Sequence, residues 1–260
     1  MNAQRASRLA SAALCGAFCV SAHAADAPEF DRPGLSFSTP SLAAGQVIWE
    51  QGLPDATFDD ADGVRSREYL ADTLLRFGLS DTVELQVGAD SYGHVDIRGA
   101  GTRQSASGTG DTRAGLKWAL PGSGDAFSWA ALATFSFPTG QAPIGDGGHA
   151  RDLGVTASWT LAGDRGAALY ADRAWSDDGD GWLFSGSYAF PLRDALGGYV
   201  EAGVGTGSER TRVAGGGVTW MATPRVQLDA SFLRGLDARS PDWQVGVGFA
   251  VFFARADGGR

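Results

Sequence analysis

Few side chains in this chain of 260 residues are of the types that act as nucleophiles, general bases or metal ligands. Cys15 and Cys19 both lie near the amino terminus, and only two histidines, His94 and His149, lie beyond residue 24. Catalysis by serine needs a base within hydrogen-bond reach of its hydroxyl group. Neither histidine is followed within two positions by a serine. The sequence therefore predicts no catalytic residue, no cofactor and no metal site, and we expect that the protein is not an enzyme.

An acidic run at Asp177-Asp178-Gly179-Asp180-Gly181 resembles the beginning of a calcium-binding loop. A helix–loop–helix calcium site needs a glutamate at the twelfth loop position. Counted from Asp177, that position is Tyr188. We interpret the run as a solvated acidic hairpin loop.

Charged side chains that alternate with apolar ones are the remaining candidates. Charges on the wall of a pore set its preference for ions and solutes. Interior acids and bases can instead pair with one another and fill the lumen, and the sequence leaves both interpretations open. The residues that we expect to line an interior are Glu84, Asp90, Asp111, Arg113, Lys117, Glu201 and Asp229.

The elements that position these charges are strands, because polar and apolar residues alternate with period two and no stretch beyond residue 24 shows helical periodicity. In Thr82–Asp90, for example, Val83, Leu85 and Val87 share one face. The predicted strands are Gln46–Gln51, Glu68–Phe77, Thr82–Asp90, Asp111–Leu120, Phe127–Phe137, Asp152–Leu161, Ala167–Trp175, Trp182–Phe190, Gly198–Gly205, Thr211–Trp220, Arg225–Leu233 and Asp242–Phe253.

The connections between these strands alternate in length. The long ones, such as Gly52–Arg67 and Ser91–Gly110, follow odd strands, and shorter ones follow even strands. Outer-membrane barrels combine longer extracellular loops with short periplasmic turns. The sequence therefore predicts an all-β fold, a transmembrane antiparallel up-and-down barrel of about twelve strands over residues 45–253. We expect Asp242–Phe253 to close the barrel against Gln46–Gln51, since an open edge would leave unpaired backbone groups in lipid.

Tryptophans near the predicted strand ends indicate two aromatic girdles at the membrane–water interfaces. The predicted periplasmic girdle contains Trp118, Trp129, Trp159 and Trp220. The predicted outer girdle contains Trp49, Trp175, Trp182 and Trp243.

The first 24 residues are typical of a cleaved signal peptide, with Arg5 and Arg8 before the apolar run Leu9–Val20 and the small-residue site Ala22-His23-Ala24. We expect export to the outer membrane of a Gram-negative bacterium. Residues 25–44 are predicted to lie in the periplasm or to plug the lumen, and Phe30, Leu35 and Phe37 favour the plug. Residues 254–260 are predicted to be a periplasmic tail. The net charge of −9 argues against nucleic acid as a partner.

Several strings resemble a family of outer-membrane proteins. They are Asp31-Arg32-Pro33-Gly34 with Ser38-Thr39, Gly45 and Glu50; Phe137-Pro138-Thr139-Gly140; Thr223-Pro224-Arg225-Val226-Gln227-Leu228-Asp229; and Asp242-Trp243-Gln244-Val245-Gly246-Val247-Gly248-Phe249. The family carries the label "putative meta-pathway of phenol degradation", or transporter, or porin. The resemblance covers most of the mature chain and implies a barrel of about twelve strands with passive transport of small solutes, hydrophobic or aromatic ones included.

The last strand is similar to the terminal signal by which outer-membrane proteins reach the barrel assembly machinery, with aromatic residues alternating in Gly248–Phe253. Expected partners are therefore that machinery, outer-membrane lipid with lipopolysaccharide, and a small solute. The alternative function is a structural or adhesion barrel with a filled lumen. An outer-membrane lipid hydrolase is a third alternative, which the histidine context disfavours.

Overall fold

The computed structural model describes residues 29–177, 179–208 and 210–253. The predicted signal peptide and the predicted tail lie outside these ranges. No helix in the described part of the chain is long and apolar enough to cross a membrane. The strands are β1 Val47–Gly52, β2 Asp55–Ala61, β3 Val64–Gly78, β4 Val83–Gly99, β5 Thr102–Gly108, β6 Thr112–Ala119, β7 Phe127–Phe137, β8 Ala150–Leu161, β9 Arg165–Ser176, β10 Gly179–Arg193, β11 Leu196–Gly207, β12 Arg212–Thr223, β13 Val226–Gly235 and β14 Trp243–Phe253.

The strands form one closed antiparallel barrel. Each strand from β6 to β14 pairs with its neighbour in the sequence, and β14 returns to β1, with Val47 opposite Phe253 and Glu50 opposite Ala250. This closure satisfies the backbone groups that an open edge would expose to lipid. The predicted fold class and the predicted pairing of the last strand with the first are confirmed.

Two of the twelve barrel strands are each split into two pieces. Both β1 and β2 lie between β14 and β3, and both β5 and β6 pair with β4. The prediction of loops at Gly52–Arg67 and Ser91–Gly110 is therefore wrong, because most of these residues belong to β-hairpins that extend the barrel wall outward. Asp62-Gly63 and Ala100-Gly101 form the tips, and all four residues have positive φ angles, as mirror-image hairpin turns require.

One girdle assignment is also wrong. Trp49 pairs opposite Val251, two positions from the Val47–Phe253 pair, so it lies near the same end of the barrel as Phe253 rather than at the outer rim. Its ring packs edge-on against Phe249 at a centroid distance of 5.0 Å. The predicted first strand ended at Gln51, so Trp49 was placed near its outer end. In the structure this membrane strand continues through β2, and Trp49 lies far from its outer end.

Alternation along each strand separates an outward apolar face from an inward face. Leu116, Leu153 and Val247 point outward, and Leu116 is 50% exposed. Glu84, between Val83 and Leu85, is fully buried, as is Lys117 beside Leu116. A soluble protein would bury these residues the other way round, so the pattern fits a barrel whose outer wall contacts lipid.

Candidate functional site

The candidate site is the lumen together with residues 29–44, which we call the N-terminal segment. This segment crosses the lumen and reaches most of the wall. The backbone N–H of Leu35 donates to Glu201 on β11 at 2.8 Å, and that of Leu42 donates to Glu84 on β4 at 3.1 Å. Between them, the Thr39 hydroxyl shares hydrogen bonds with Ser128 and Ser158 on β7 and β8. Phe30 and Leu42 pack with Ile48 and Phe252 at the periplasmic end.

A first group of charges holds the beginning of the segment near the periplasmic side. We call it the lower cluster: Asp31, Glu50, Arg76, Glu84 and Lys117. The Arg76 guanidinium lies 2.7 Å from Glu84, 2.9 Å from Glu50 and 3.2 Å from Asp31. Lys117 Nζ lies 3.5 Å from both Asp31 and Glu84. All five side chains are nearly inaccessible to water, so each buried charge depends on its partners.

The same cluster fixes the backbone of the segment. Glu50 accepts hydrogen bonds from the backbone N–H groups of Asp31 at 2.9 Å and Arg32 at 2.7 Å. Asp31 accepts from both the backbone and the hydroxyl of Ser38. Three carboxylates here face two cations, so the lower cluster carries a formal negative charge.

A second group, which we call the Arg32 cluster, holds the segment against the opposite part of the charged wall. The Arg32 guanidinium lies 2.8 Å from Asp72 on β3, 3.3 Å from Asp229 on β13 and 3.5 Å from Asp55 on β2. Gln227 donates a hydrogen bond to the Arg32 carbonyl oxygen at 2.9 Å. One cation thus joins three wall carboxylates that would otherwise repel one another.

Above the segment, toward the extracellular end, lies a polar vestibule of about 220 Å³. Its lining includes Asp90, Asp111, Arg113 and Asp146. Arg113 lies 3.4 Å from Asp90, and Asp111 accepts N–H groups of Gly140 and Asp146 in the loop over the lumen. Ile144 of this loop reaches inward and is 8% exposed. Acids outnumber bases, so the vestibule attracts cations.

The lumen wall has two chemically different halves. The charged half, formed by β13, β14, β1 to β4 and β6, carries the lower cluster and the Arg32 cluster. The small-residue half, formed by β7 to β12, presents mainly alanines, glycines, serines and threonines, with a few large apolar side chains and carboxylates. Its inward residues include Ala130, Leu132, Gly154, Ala168, Tyr170, Leu183, Ala189, Tyr199, Gly203, Val213, Gly215 and Gly217. Phe37 packs onto this half, with its ring 5.7 Å from that of Tyr170.

The structure places all seven predicted lumen residues at positions that face the lumen. Glu84 and Lys117 meet in the lower cluster, Asp229 joins Arg32, and Asp90, Asp111 and Arg113 lie in the vestibule. Glu201 stands apart in the small-residue half, where Leu35 donates to it.

Sequence reasoning missed the residues that bring these groups together. They are Asp31, Arg32, Glu50, Asp55, Asp72 and Arg76. Strand alternation could have indicated Arg76, which lies between the apolar residues Leu75 and Phe77. Arg32 belongs to a string that resembles the family, but that string does not show its partners, which lie on β2, β3 and β13.

The structure also brings a serine to His94, which adjacency in the sequence did not show. His94 Nδ1 lies 2.7 Å from Ser107 Oγ across the β4–β5 pair. The pair lies on the exposed hairpin, and Tyr92 and Tyr69 are the other side chains recorded beside it. Within the described residues, Ser107 is the hydrogen-bond partner seen at His94, whereas a serine–histidine catalytic pair also has a third group that orients the histidine.

Comparisons with known proteins agree with the barrel. The model of the family described as "Putative MetA-pathway of phenol degradation" matches residues 30–253, which confirms the resemblance seen in the sequence. No curated protein matches the chain. An outer-membrane channel from Pseudomonas putida F1, named COG4313, superposes with a TM-score of 0.62 at 14% identity, over 83% of this chain and 98% of that one.

Two further solved structures share the fold. The KdgM porin gives a TM-score of 0.56 at 9% identity, over 80% of this chain and 99% of that one. The translocator domain of the autotransporter NalP from Neisseria meningitidis gives 0.53 at 14% identity, over 82% and 90%. At these identities the likeness is one of fold.

Proposed function

The chain belongs to the family described as "Putative MetA-pathway of phenol degradation", and on this premise we propose that it is an outer-membrane channel for small solutes, hydrophobic and aromatic ones included. In this proposal the structure represents the closed state of the channel, in which the N-terminal segment fills the lumen. A solute passes along the small-residue half of the lumen when the N-terminal segment moves aside.

The observation that carries the proposal is the way the lumen is closed. The N-terminal segment contributes no strand to the barrel, since the first strand begins at Val47. Its attachments to the wall are mainly ion pairs and hydrogen bonds made by Asp31, Arg32, Leu35 and Thr39. The segment can therefore leave the lumen without breaking any pairing between strands, and the barrel wall stays intact.

The chemistry of the small-residue half supports the preference for apolar solutes. Glycines and alanines on its inward face leave space beside the wall, and Tyr170, Leu132 and Tyr199 offer apolar and aromatic surface. Serine and threonine hydroxyl groups and the carboxylates Asp172 and Glu201 lie among them on the same face. Binding sites for small molecules combine apolar and aromatic surface with polar groups that fix the orientation of the ligand.

The alternative is a structural barrel with a permanently filled lumen. The dense pairing of the lower cluster is what such a barrel would also show. The two functions differ in one respect, which is whether the segment moves while the barrel stays folded.

A reversible disulfide tests this difference. The hydroxyl groups of Thr39 and Ser128 are in hydrogen-bond contact, so the double variant Thr39→Cys/Ser128→Cys places two sulfur atoms close together. The only native cysteines, Cys15 and Cys19, lie in the predicted signal peptide and would not compete. Single-channel currents are recorded in planar bilayers before and after reduction, with each single cysteine variant as the matched control.

We expect no current from the oxidised double variant and openings after reduction, whereas both single variants open under either condition. A small neutral aromatic alcohol should block these currents more strongly than a sugar of comparable mass. If none of the variants conducts in either redox state, the barrel is structural and the proposal fails. If the sugar blocks the current as strongly as the aromatic alcohol does, the proposed preference for aromatic solutes is wrong.

A further inference from the structure

Two arginines lie on the outer wall of the barrel, where a lipid-facing strand normally carries apolar residues. Arg151 is the second residue of β8, and Arg173 lies near the extracellular end of β9. Arg151 is paired opposite the outward Phe135 on one side and Trp175 on the other. Arg173 is paired opposite Leu153 and Trp182, which also point outward. Both guanidinium groups therefore stand at the extracellular girdle, on the outside of the small-residue half.

Trp175 holds the two arginines together. The Arg151 and Arg173 guanidinium carbons each lie 5.5 Å from the centroid of the Trp175 ring, and Arg173 also lies 5.3 Å from the Trp182 ring. Contacts of this kind orient the cations without neutralising them. Since both groups contact one ring, they can approach a single anion together.

In the described part of the chain, only one of the two arginines forms an ion pair. Asp180 lies 2.7 Å from Arg173 and is half exposed. Within residues 29–177, 179–208 and 210–253, Arg151 makes no ion pair at salt-bridge distance. Among the described residues, Arg151 is thus held by the Trp175 ring rather than by an ion pair, at the edge of the hydrocarbon layer, where a cation is costly.

A cavity at the extracellular rim of this wall adjoins the arginine pair. It has a volume of about 580 Å³, and its lining includes Phe135, Arg151 and Trp175 together with the carboxylates Asp177 and Asp180. The polar lining residues lie toward the loops. Just below them, on the membrane side, the outward surface is apolar, with Leu153, Leu169 and Phe184 all strongly exposed.

We propose that Arg151, Arg173 and Trp175 form a binding site for the phosphorylated headgroup of an anionic glycolipid in the outer leaflet, the chemistry of lipopolysaccharide. Arginine binds phosphate oxygens through paired N–H donors, and this geometry matches a guanidinium held by its neighbours. The exposed apolar surface below the arginines accommodates acyl chains, which a free anion does not need. The side chains of Arg151, Arg173 and Trp175 point outward from the barrel wall, so their contact with lipid does not require an open lumen.

The test measures lipid binding to the purified, folded full-length barrel in detergent by native mass spectrometry. The probes are a diphosphorylated lipid A, the same lipid without its phosphates, and inorganic phosphate. The variants are Arg151→Gln and the double variant Arg151→Gln/Arg173→Gln. Arg234→Gln is the matched control, because Arg234 also points outward at this rim, beside Trp243, but lies on β13 outside the cavity. Heat-modifiable migration on gels verifies that each variant is folded.

We expect the dissociation constant for diphosphorylated lipid A to rise by about tenfold in the double variant, because charge-assisted contacts to the phosphate are lost. Arg151→Gln alone should give a large part of this effect, and Arg234→Gln should bind as the wild type does.

Equal binding of the lipid by the double variant and the wild type would overturn the site. Equal binding of the phosphate-free lipid to the wild type would overturn the assignment to phosphate, and this comparison needs no variant. Displacement of the lipid by inorganic phosphate at equal concentration would show that the ligand is a free anion rather than a lipid.

Discussion

Substitution of Arg32 by glutamine removes the cation that links the N-terminal segment to three wall carboxylates. The Arg32 side chain is 2% exposed, and its partner Asp229 is fully buried. Asp72 is 16% exposed and Asp55 is 32% exposed. Glutamine keeps a hydrogen-bond donor but leaves these carboxylates without a positive charge. We expect the segment to detach, while the barrel strands stay paired.

The size of the effect follows from the burial of the partners. Breaking a buried ion pair by removing one partner costs about 3–5 kcal/mol. The contacts to Asp72 and Asp55 are partly screened by water, so we take the lower limit of about 3 kcal/mol. This corresponds to a shift of about a hundredfold in the ratio of detached to docked segment.

The assay is the rate at which a maleimide labels Leu35→Cys, with and without Arg32→Gln, in the folded barrel. Leu35 lies against Gly203, where a Cβ would stand 2.8 Å from its Cδ1, so docking shields the position. Labelling should accelerate by about a hundredfold. Arg32→Lys should give an intermediate rate, because lysine keeps the charge but loses the planar fork.

Arg212→Gln is the control, because Arg212 is 64% exposed and lies 3.7 Å from Asp237 in the β13–β14 loop. The Ser240 hydroxyl donates a hydrogen bond that holds the pKa of Asp237 below its ordinary value, so this surface pair is charged in neutral buffer. Exposed pairs of this kind contribute little to stability, because water screens them. If Arg32→Gln labels no faster than the Arg212→Gln control, Arg32 does not hold the segment.

The remaining predictions concern the barrel wall and the vestibule. Leu116→Arg, at an outward mid-strand position, should destabilise the barrel in lipid vesicles by about 2–4 kcal/mol in urea unfolding. Gly215→Ala should reduce the heat-modifiable fraction, since its Cβ would stand 1.9 Å from a carbonyl oxygen of β13, whereas Gly186→Ala, with its nearest contact at 3.4 Å, should not. Phe253→Asp should leave the protein in the periplasm upon cell fractionation, and normal membrane insertion would contradict its role in assembly. Asp90→Asn should lower cation preference, measured as reversal potential across a salt gradient, and an unchanged potential would exclude the vestibule as a selectivity filter.

The alternation of apolar and polar residues was sufficient to predict the barrel, because each strand shows this alternation within its own sequence. Val83, Leu85 and Val87 alternate with Glu84 and Gln86, and a membrane barrel must place the first set in lipid and the second in the lumen. Closure of the barrel could be predicted as well, because every backbone group in lipid must be paired regardless of which side chains the strands carry. The family strings near Asp31 and Asp242 agreed with this architecture.

The interruptions in the strands were less accessible to sequence reasoning. The residues between Gly52 and Val64 include acids, a proline and glycine, which are typical of loops, yet β2 continues the first membrane strand beyond Pro54. Pairing with β3 and β14 stabilises this piece, so its conformation depends on neighbours that are distant in the sequence. The misplacement of Trp49 had the same cause.

Strand alternation alone indicates which side chains face the lumen, because the period-two repeat of a strand places each residue on one face without reference to any other strand. Which of these side chains meet depends on how the strands and the N-terminal segment come together. Arg32, Asp72 and Asp229 converge because register and closure bring β3 and β13 to the same height, and because the N-terminal segment enters the lumen between them. A contact across the barrel depends on the shear of all the strands together, and no local pattern in the chain encodes that quantity.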